Sequence, residues 1–233
     1  MAGRRPLLAV LLLAGLVSGC TYSDSLRLND IHSVWALADN ISPHAEVFFA
    51  TDRQPDGSKF GYGLHWDSMP HCGTARVLIP AASSNTQSDV EAIRPMACGE
   101  PIGMTDLARA IGNSAHAVGC ESVLVAVHGY NMTFRSALLR AGQLATDTQW
   151  RCPILLFSWS SEGKFDRYVA DVERSGYSVP MLLEMLRALH AARLRTEFFA
   201  ESMGARIALS AAGAFCAEHF VEFVREMILA APD

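Results

Sequence analysis

The amino-acid sequence predicts an α/β fold with a doubly wound, mainly parallel sheet, and three observations carry that expectation. Two runs, Ser122-Val-Leu-Val-Ala-Val127 and Pro153-Ile-Leu-Leu-Phe157, are apolar almost throughout. Lacking polar alternation, they bury both faces, as strands do when helices cover a parallel sheet on either side. Strand-like and helical patterns alternate through the second half of the chain, the order of a sheet wound by crossover helices. Finally, the apolar run Phe198-Phe199-Ala200 breaks at Glu201-Ser202-Met203-Gly204 and passes at once into an alanine-rich helical pattern. With Ala200 standing for the first glycine, residues 200–204 fit the G-x-S-x-G turn between strand and helix that lifts a serine hydroxyl into the open. Small residues flank the serine because the turn is strained and packs closely against neighbouring chain. The helix N-terminus behind it favours negative charge developing at that point.

Residues 1–19 read as a targeting segment, with Arg4 and Arg5 as a basic start and Leu7 to Val17 as an apolar core too short to span a bilayer comfortably. Residues 20–45 form a tether and lead-in with little periodic pattern, and 46–233 form the folded domain. Within it, Glu46 to Arg53 predicts a strand that ends in the polar turn Gln54-Pro55-Asp56-Gly57. Gly61-Tyr62-Gly63 is a lone G-x-G and reads as a loop. Gly73 to Pro80 is a second strand, stopped by its proline, and residues 81–103, rich in Ser, Pro and Gly, read as an exposed connection. Thr105 then caps a helix to about Val118, with Leu107, Ala108, Ile111 and Ala115 on one face. The strand from Ser122 ends at His128-Gly129-Tyr130-Asn131, and Thr133 caps a helix whose Phe134, Ala137, Leu138, Ala141 and Leu144 form a core-facing stripe. The strand from Pro153 ends in Ser158-Trp159-Ser160. A long helical region follows, interrupted near Gly176 and restarting at Pro180, a favourable first-turn position. The strand before Ser202 comes next, then its helix to about Glu218, and a last strand, Met227 to Ala231, before Pro232-Asp233. Sites in such sheets lie at the carboxyl ends of the strands, where His128-Gly129, Trp159 and Ser202 all fall.

Without residues 1–19 about 210 residues remain, enough for one domain with a substantial core. The formal net charge of −5 becomes −7 once Arg4 and Arg5 leave, which provides no basic face for nucleic acid. No second apolar run approaches the length of a membrane-spanning helix. The 8 histidines are scattered, with neither H-E-x-x-H nor paired spacing, so no metal site is predicted. Glycine-rich phosphate loops are absent, and no cofactor is expected. Asp171, Glu173 and Arg174 read as a solvated helix face, and Trp159 is a core residue or a pocket wall.

Val17-Ser18-Gly19-Cys20 resembles the lipobox of bacterial lipoproteins. The resemblance implies cleavage before Cys20 and acylation of that cysteine, with each buried methylene contributing roughly 0.8 kcal/mol to anchoring. Thr21, rather than Asp, fits the outer membrane better than the inner. The other reading is an ordinary secretory signal followed by an incidental cysteine. The domain itself is similar to a bacterial family of α/β-hydrolases of uncharacterised function. The shared segments are Val47-Phe-Phe-Ala-Thr-Asp-Arg53, Val127-His-Gly-Tyr-Asn131, Leu156-Phe-Ser-Trp159, Ser202-Met-Gly204 and Leu229-Ala-Ala-Pro-Asp233, in the family's order. By that resemblance Ser202 is the nucleophile. The amide of Met203 and one from Tyr130 or Asn131 form the oxyanion hole.

The chain departs from the family at two points. Members carry His just before the serine, where this chain has Glu201. A carboxylate there either hinders an oxyanion or turns away to bind a neighbour. The acid and histidine of a triad follow the serine in this fold, yet the only histidine after Ser202 is His219, near the end of the helix that leads away from the site. His128 reads as a structural or oxyanion-loop residue. Asp233 ends a strand where some α/β-hydrolases place the acid, while the family more often has it after the next strand, so the chain reads as C-terminally incomplete. The resemblance also makes the strands from Ser122 and Pro153 parallel neighbours. That brings Cys120 and Cys152, each just upstream of its strand, within reach of a disulfide, unless both are simply buried thiols. Cys72 and Cys98 are a weaker second pair, and Cys216 is expected as a free thiol. The combined expectation is a lipid-anchored serine hydrolase of the bacterial envelope, esterase- or lipase-like, acting on an acyl-ester-type small molecule or lipid. The alternative is a non-catalytic envelope protein that keeps the fold as a binding or structural module.

Overall fold

The computed structural model describes residues 43–81, 84–99, 103–162, 164–219 and 223–232. The leader, Cys20, most of the lead-in, and Asp233 lie outside the described residues. Seven strands form one sheet in the order β3-β2-β1-β5-β4-β6-β7. They are β1 (His44–Pro55), β2 (Tyr62–Leu78), β3 (Asp89–Met96), β4 (Ser122–Val127), β5 (Ile154–Ser158), β6 (Arg195–Glu201) and β7 (Val224–Ala230). Strands β1, β5, β4, β6 and β7 run parallel, and β2 and β3 add antiparallel partners at one edge. The helices are α1 (Thr105–Ala117), α2 (Phe134–Asp147), α3 (Tyr168–Ala191) and α4 (Met203–His219).

Strand β4 is buried at all six positions, and its period of two divides the core. Val123, Val125 and Val127 pack with α1, α3 and α4 on one face of the sheet. Leu124 and Ala126 pack with Phe134, Ala137, Leu138 and Ala141 of α2 on the other. Thr133 caps α2 as its sequence implies: its side chain accepts from the Ser136 amide, and Ser136 returns a bond to the Thr133 backbone. The parallel register aligns Val127 with both Phe157 and Ala200, so His128, Trp159 and Ser202 emerge at the same end of the sheet.

Four local expectations are corrected. Residues 81–103 contain β3, an edge strand paired with β2. Its Pro95 is tolerated because an edge position leaves one side of the backbone unpaired, and that weakens the strand's signature. Gly61-Tyr62-Gly63 leads directly into β2 rather than a loop. Met104, not Thr105, is the N-cap of α1, and it makes no side-chain capping bond. Helix α3 runs unbroken through Gly176 and Pro180. A proline inside a helix costs roughly 3 kcal/mol, but α3 buries Leu182, Met185, Leu186 and Leu189, each contributing about 1.5–3 kcal/mol.

Cys120 and Cys152 are joined by a disulfide at the amino end of β4 and β5, with Cα atoms 5.6 Å apart. Cys72 and Cys98 are likewise joined, with Cα atoms 5.2 Å apart. Cys216, expected as a free thiol, is disulfide-bonded too. The Cys120–Cys152 bridge closes a loop of sequence separation 32, a constraint on the unfolded chain of about 3–4 kcal/mol in the chain-entropy account. The double substitution Cys120→Ala/Cys152→Ala should therefore lower unfolding stability by about that amount in denaturant titration of the oxidised protein. An unchanged midpoint would show that the two thiols are unpaired in solution.

Candidate active site

Ser202 sits between β6 and α4 with φ +47°, a left-handed conformation that costs a non-glycine residue of order 1–3 kcal/mol. The surroundings hold it there. The Ser202 amide donates to the Ala230 carbonyl at 2.9 Å, and the Ala205 amide donates to the Ser202 carbonyl at 2.8 Å. Ala200 and Met203 on either side are fully buried. Gly204 lies so close to the chain leaving β4 that a Cβ there would fall 2.4 Å from the His128 carbonyl oxygen and 2.6 Å from that of Val127. A Cβ on Gly129 would stand 3.2 Å from the Cβ of Ser202. Each glycine thus lies against the other segment, and the loop carrying Tyr130 and Asn131 begins directly against the serine. Asn131 also has a left-handed backbone, φ +59°.

What fixes that loop was not read from the sequence. Arg53, at the carboxyl end of β1, is completely buried. Its guanidinium donates to the Met132 carbonyl at 2.8 Å, to the Gly63 and Ser161 carbonyls at 3.0 Å each, and to the Ser158 hydroxyl at 3.1 Å. Burial draws its pKa down to about 10, with Asp52 and Asp171 opposing that shift. Asp171, expected on a solvated face, is buried instead, accepting from the Ser161 hydroxyl at 2.6 Å and the Glu162 amide at 2.9 Å. Arg174 likewise turns inward, donating to the Leu64 carbonyl at 3.0 Å and pairing with Glu162 at 3.0 Å. Asp52 accepts from the Ser178 hydroxyl, and burial raises its carboxyl to about 6. The available signal was an Asp-Arg pair directly continuing an apolar strand.

His128 is a structural residue. Its ring stacks on Trp159 at 5.3 Å between centroids, and Trp159 Nε1 donates to the His128 carbonyl at 2.7 Å. Nδ1 lies 2.7 Å from the Gly129 carbonyl, which can only accept, so Nδ1 carries the proton. Nε2 then accepts from the Ser158 hydroxyl at 3.3 Å. Burial first, and the Arg53 charge second, hold its pKa down to about 3. Both ring nitrogens are engaged, so His128 is not placed to take a proton from Ser202.

The other sequence candidates separate. Glu201 turns to α2, where Arg140 Nε donates to its carboxylate at 2.9 Å, and the hydrogen bond to Glu201 is the main cause holding the Arg140 pKa up. Of the two expectations for Glu201, pairing with a neighbour is the one realised. His219 is the last residue of α4, about 24 Å along the helix from the serine at 1.5 Å rise per residue. A His-Asp pair that sequence reading did not single out, His71 with Asp67 at 3.0 Å, sits on β2, four strands from β6 and therefore about 19 Å away. Among the described residues no imidazole reaches Ser202.

The two perturbed groups act on stability with opposite sign. His128, with a folded pKa below its ordinary 6.5, contributes stability present above that value and lost as pH falls toward about 3. Asp52, raised from 3.8 to about 6, contributes stability below 3.8 that is lost as pH rises through 6. His128→Asn should flatten the loss of stability between pH 6.5 and 3, measured by denaturant unfolding across that range. An unchanged slope would mean that His128 is solvated.

A comparison with curated proteins found no match, and neither did one with solved structures. Residues 105–233, more than half of the chain, match the model of a family described as "Alpha/beta hydrolase of unknown function (DUF900)". The matched span begins at α1 and takes in the β4 loop, Trp159 and the Ser202 turn. With that span and this sheet, the chain belongs to the alpha/beta hydrolase family of unknown function.

Proposed function

We propose that this protein is a serine hydrolase in which Ser202 attacks the carbonyl of an acyl ester. The observation that carries the reading is the backbone of Ser202, held at φ +47° with Gly129 against its side chain and Gly204 against the chain leaving β4. Strain of that kind persists where surrounding structure over-determines it, and it clusters at functional sites. In the proposed reaction the serine oxygen bonds to the acyl carbon. The oxyanion is received by the Met203 amide and by an amide of the Tyr130–Asn131 loop, the alcohol leaves with a proton, and water releases the acid. Removing one oxyanion donor costs about 10²- to 10³-fold in rate. Pairing of Glu201 with Arg140 supports the reading, because it draws the neighbouring carboxylate toward α2. Asp233, outside the described residues, is the proposed acid. A non-catalytic binding or structural role is the second reading, favoured by the lack of an imidazole near Ser202 among the described residues.

Labelling with a fluorophosphonate decides between the two. Protein expressed from its own reading frame should be labelled, and Ser202→Ala should remove the label. Loss of the base would cost nearly as much as loss of the serine, of order 10⁶-fold, so a non-catalytic protein should give no serine-dependent signal.

We further propose that Cys20 is acylated and holds the domain to the bacterial envelope, supported by the lipobox pattern Val17 to Cys20. Cys20→Ser should release the protein from membranes or block its processing, and unchanged partition would exclude the anchor. A thioether takes up the Cys20 sulfur, whereas Cys216 is disulfide-bonded and the other four described cysteines pair with one another. Of the six cysteines in the chain only Cys20 is left to partner Cys216, so acylation of Cys20 and a Cys20–Cys216 disulfide are mutually exclusive outcomes. Mass mapping of unreduced protein should find Cys20 carrying lipid; a Cys20 disulfide would favour an ordinary secretory signal.

A further inference from the structure

On the opposite side of the molecule from Ser202, at the amino ends of the parallel strands, a cleft of about 760 Å³ opens between α1 and α3. Arg109, Asn113 and His116 of α1 line it, on one helical face by their spacing. The facing end of α3 is small, with Ala188, Ala191 and Ala192, which leaves the space unfilled. Arg193 and Arg195 stand at its edge, in the turn from α3 and at the first residue of β6. Arg109 is paired with Asp106 at 2.7 Å. No ion pair among the described residues includes Arg193 or Arg195. The cleft therefore holds two guanidiniums, Arg193 and Arg195, outside any ion pair among the described residues, and Glu121 is the one carboxylate in its lining.

We propose that this cleft binds a phosphate group, with Arg193 and Arg195 as its charged donors and Asn113 and His116 as further polar partners. Guanidinium forks match the geometry of phosphate oxygens and keep their charge at every working pH. Two such groups without carboxylate partners among the described residues, beside a cavity of this size, are arranged for an anion brought from outside. The phosphate can come from the headgroup of an anionic phospholipid or from a small soluble phosphoester. Neither source depends on Ser202, so this site stands or falls separately from the hydrolase reading.

The experiment uses the protein with Cys20→Ser, so that no acyl chain contributes. In one arm it is sedimented with vesicles of phosphatidylcholine alone or mixed with phosphatidylglycerol. In the other, its thermal midpoint is followed with inorganic phosphate. The test variant is Arg193→Asn/Arg195→Gln, with asparagine chosen because it tolerates the left-handed backbone at residue 193, φ +59°. Arg94→Gln, on the edge strand β3, controls for loss of charge alone. Asn113→Asp, a carboxylate added from the α1 side, is an independent variant should the double substitution misfold. Binding to the phosphatidylglycerol vesicles that falls at least tenfold in the test variant, and not in Arg94→Gln, assigns a lipid headgroup. A phosphate-dependent rise in midpoint that the test variant loses, without vesicle binding, assigns a soluble phosphoester. The proposal is overturned by equal binding to phosphatidylcholine, by equal effects of the test variant and Arg94→Gln, or by no response in either arm.

Discussion

A single buried cation, Arg53, sets the geometry that the candidate site depends on. A guanidinium removed from water is costly unless its donors are satisfied, and here they reach chain at residues 63, 132, 158 and 161. The acceptors come from three stretches: the start of β2, the loop after β4, and the end of β5 with the residues that follow it. Met132 ties in the loop that starts against Ser202; Ser158 ties in His128; Ser161 ties in Asp171 and through it the start of α3. Moving any one leaves a donor unpaired in the interior, so the rim of the sheet is positioned as a unit. Burial, with the Arg53 charge second, keeps His128 neutral, and the neutral tautomer lets the imidazole accept from Ser158 while donating to Gly129.

The turn at Ser202 was legible because its requirements are local. Small residues, a strand before it and a helix after it are written within a dozen positions. Strands β4 and β5 and the Thr133 cap were legible for the same reason. Physics between distant positions was not. The edge strand β3 has little apolar pattern and is made a strand by pairing with β2. Helix α3 looked broken at Gly176 and Pro180 because local propensity says so, whereas burial of its later turns decides otherwise. Asp171 and Arg174 looked solvated because charged residues on a helix usually are. Their partners lie in the loop after β5 and on β2, beyond any window of periodicity.

Glu201 shows how a carboxylate next to the serine turn is accommodated. An acidic residue beside a nucleophile raises the free energy of an oxyanion by like-charge repulsion, yet Arg140 on α2 takes up that carboxylate. The pair forms on the face of the sheet opposite α4, so Glu201 engages the α2 side of β6, apart from the packing of Ala200, Met203 and Gly204. The turn's strain and the identity of its neighbour are therefore separable properties of this fold.

One consequence concerns force. Strand β1 is first in the described chain but interior in the sheet, paired along its length with β2 on one side and β5 on the other. Its antiparallel ladder alone has ten registered pairs, and its parallel ladder has five. A pull applied upstream of His44 loads both ladders along the strand axis, in shear, so their hydrogen bonds must fail together instead of being peeled apart one by one. An edge strand in that position would unzip. Tension entering upstream of β1 is therefore carried by both of its ladders at once.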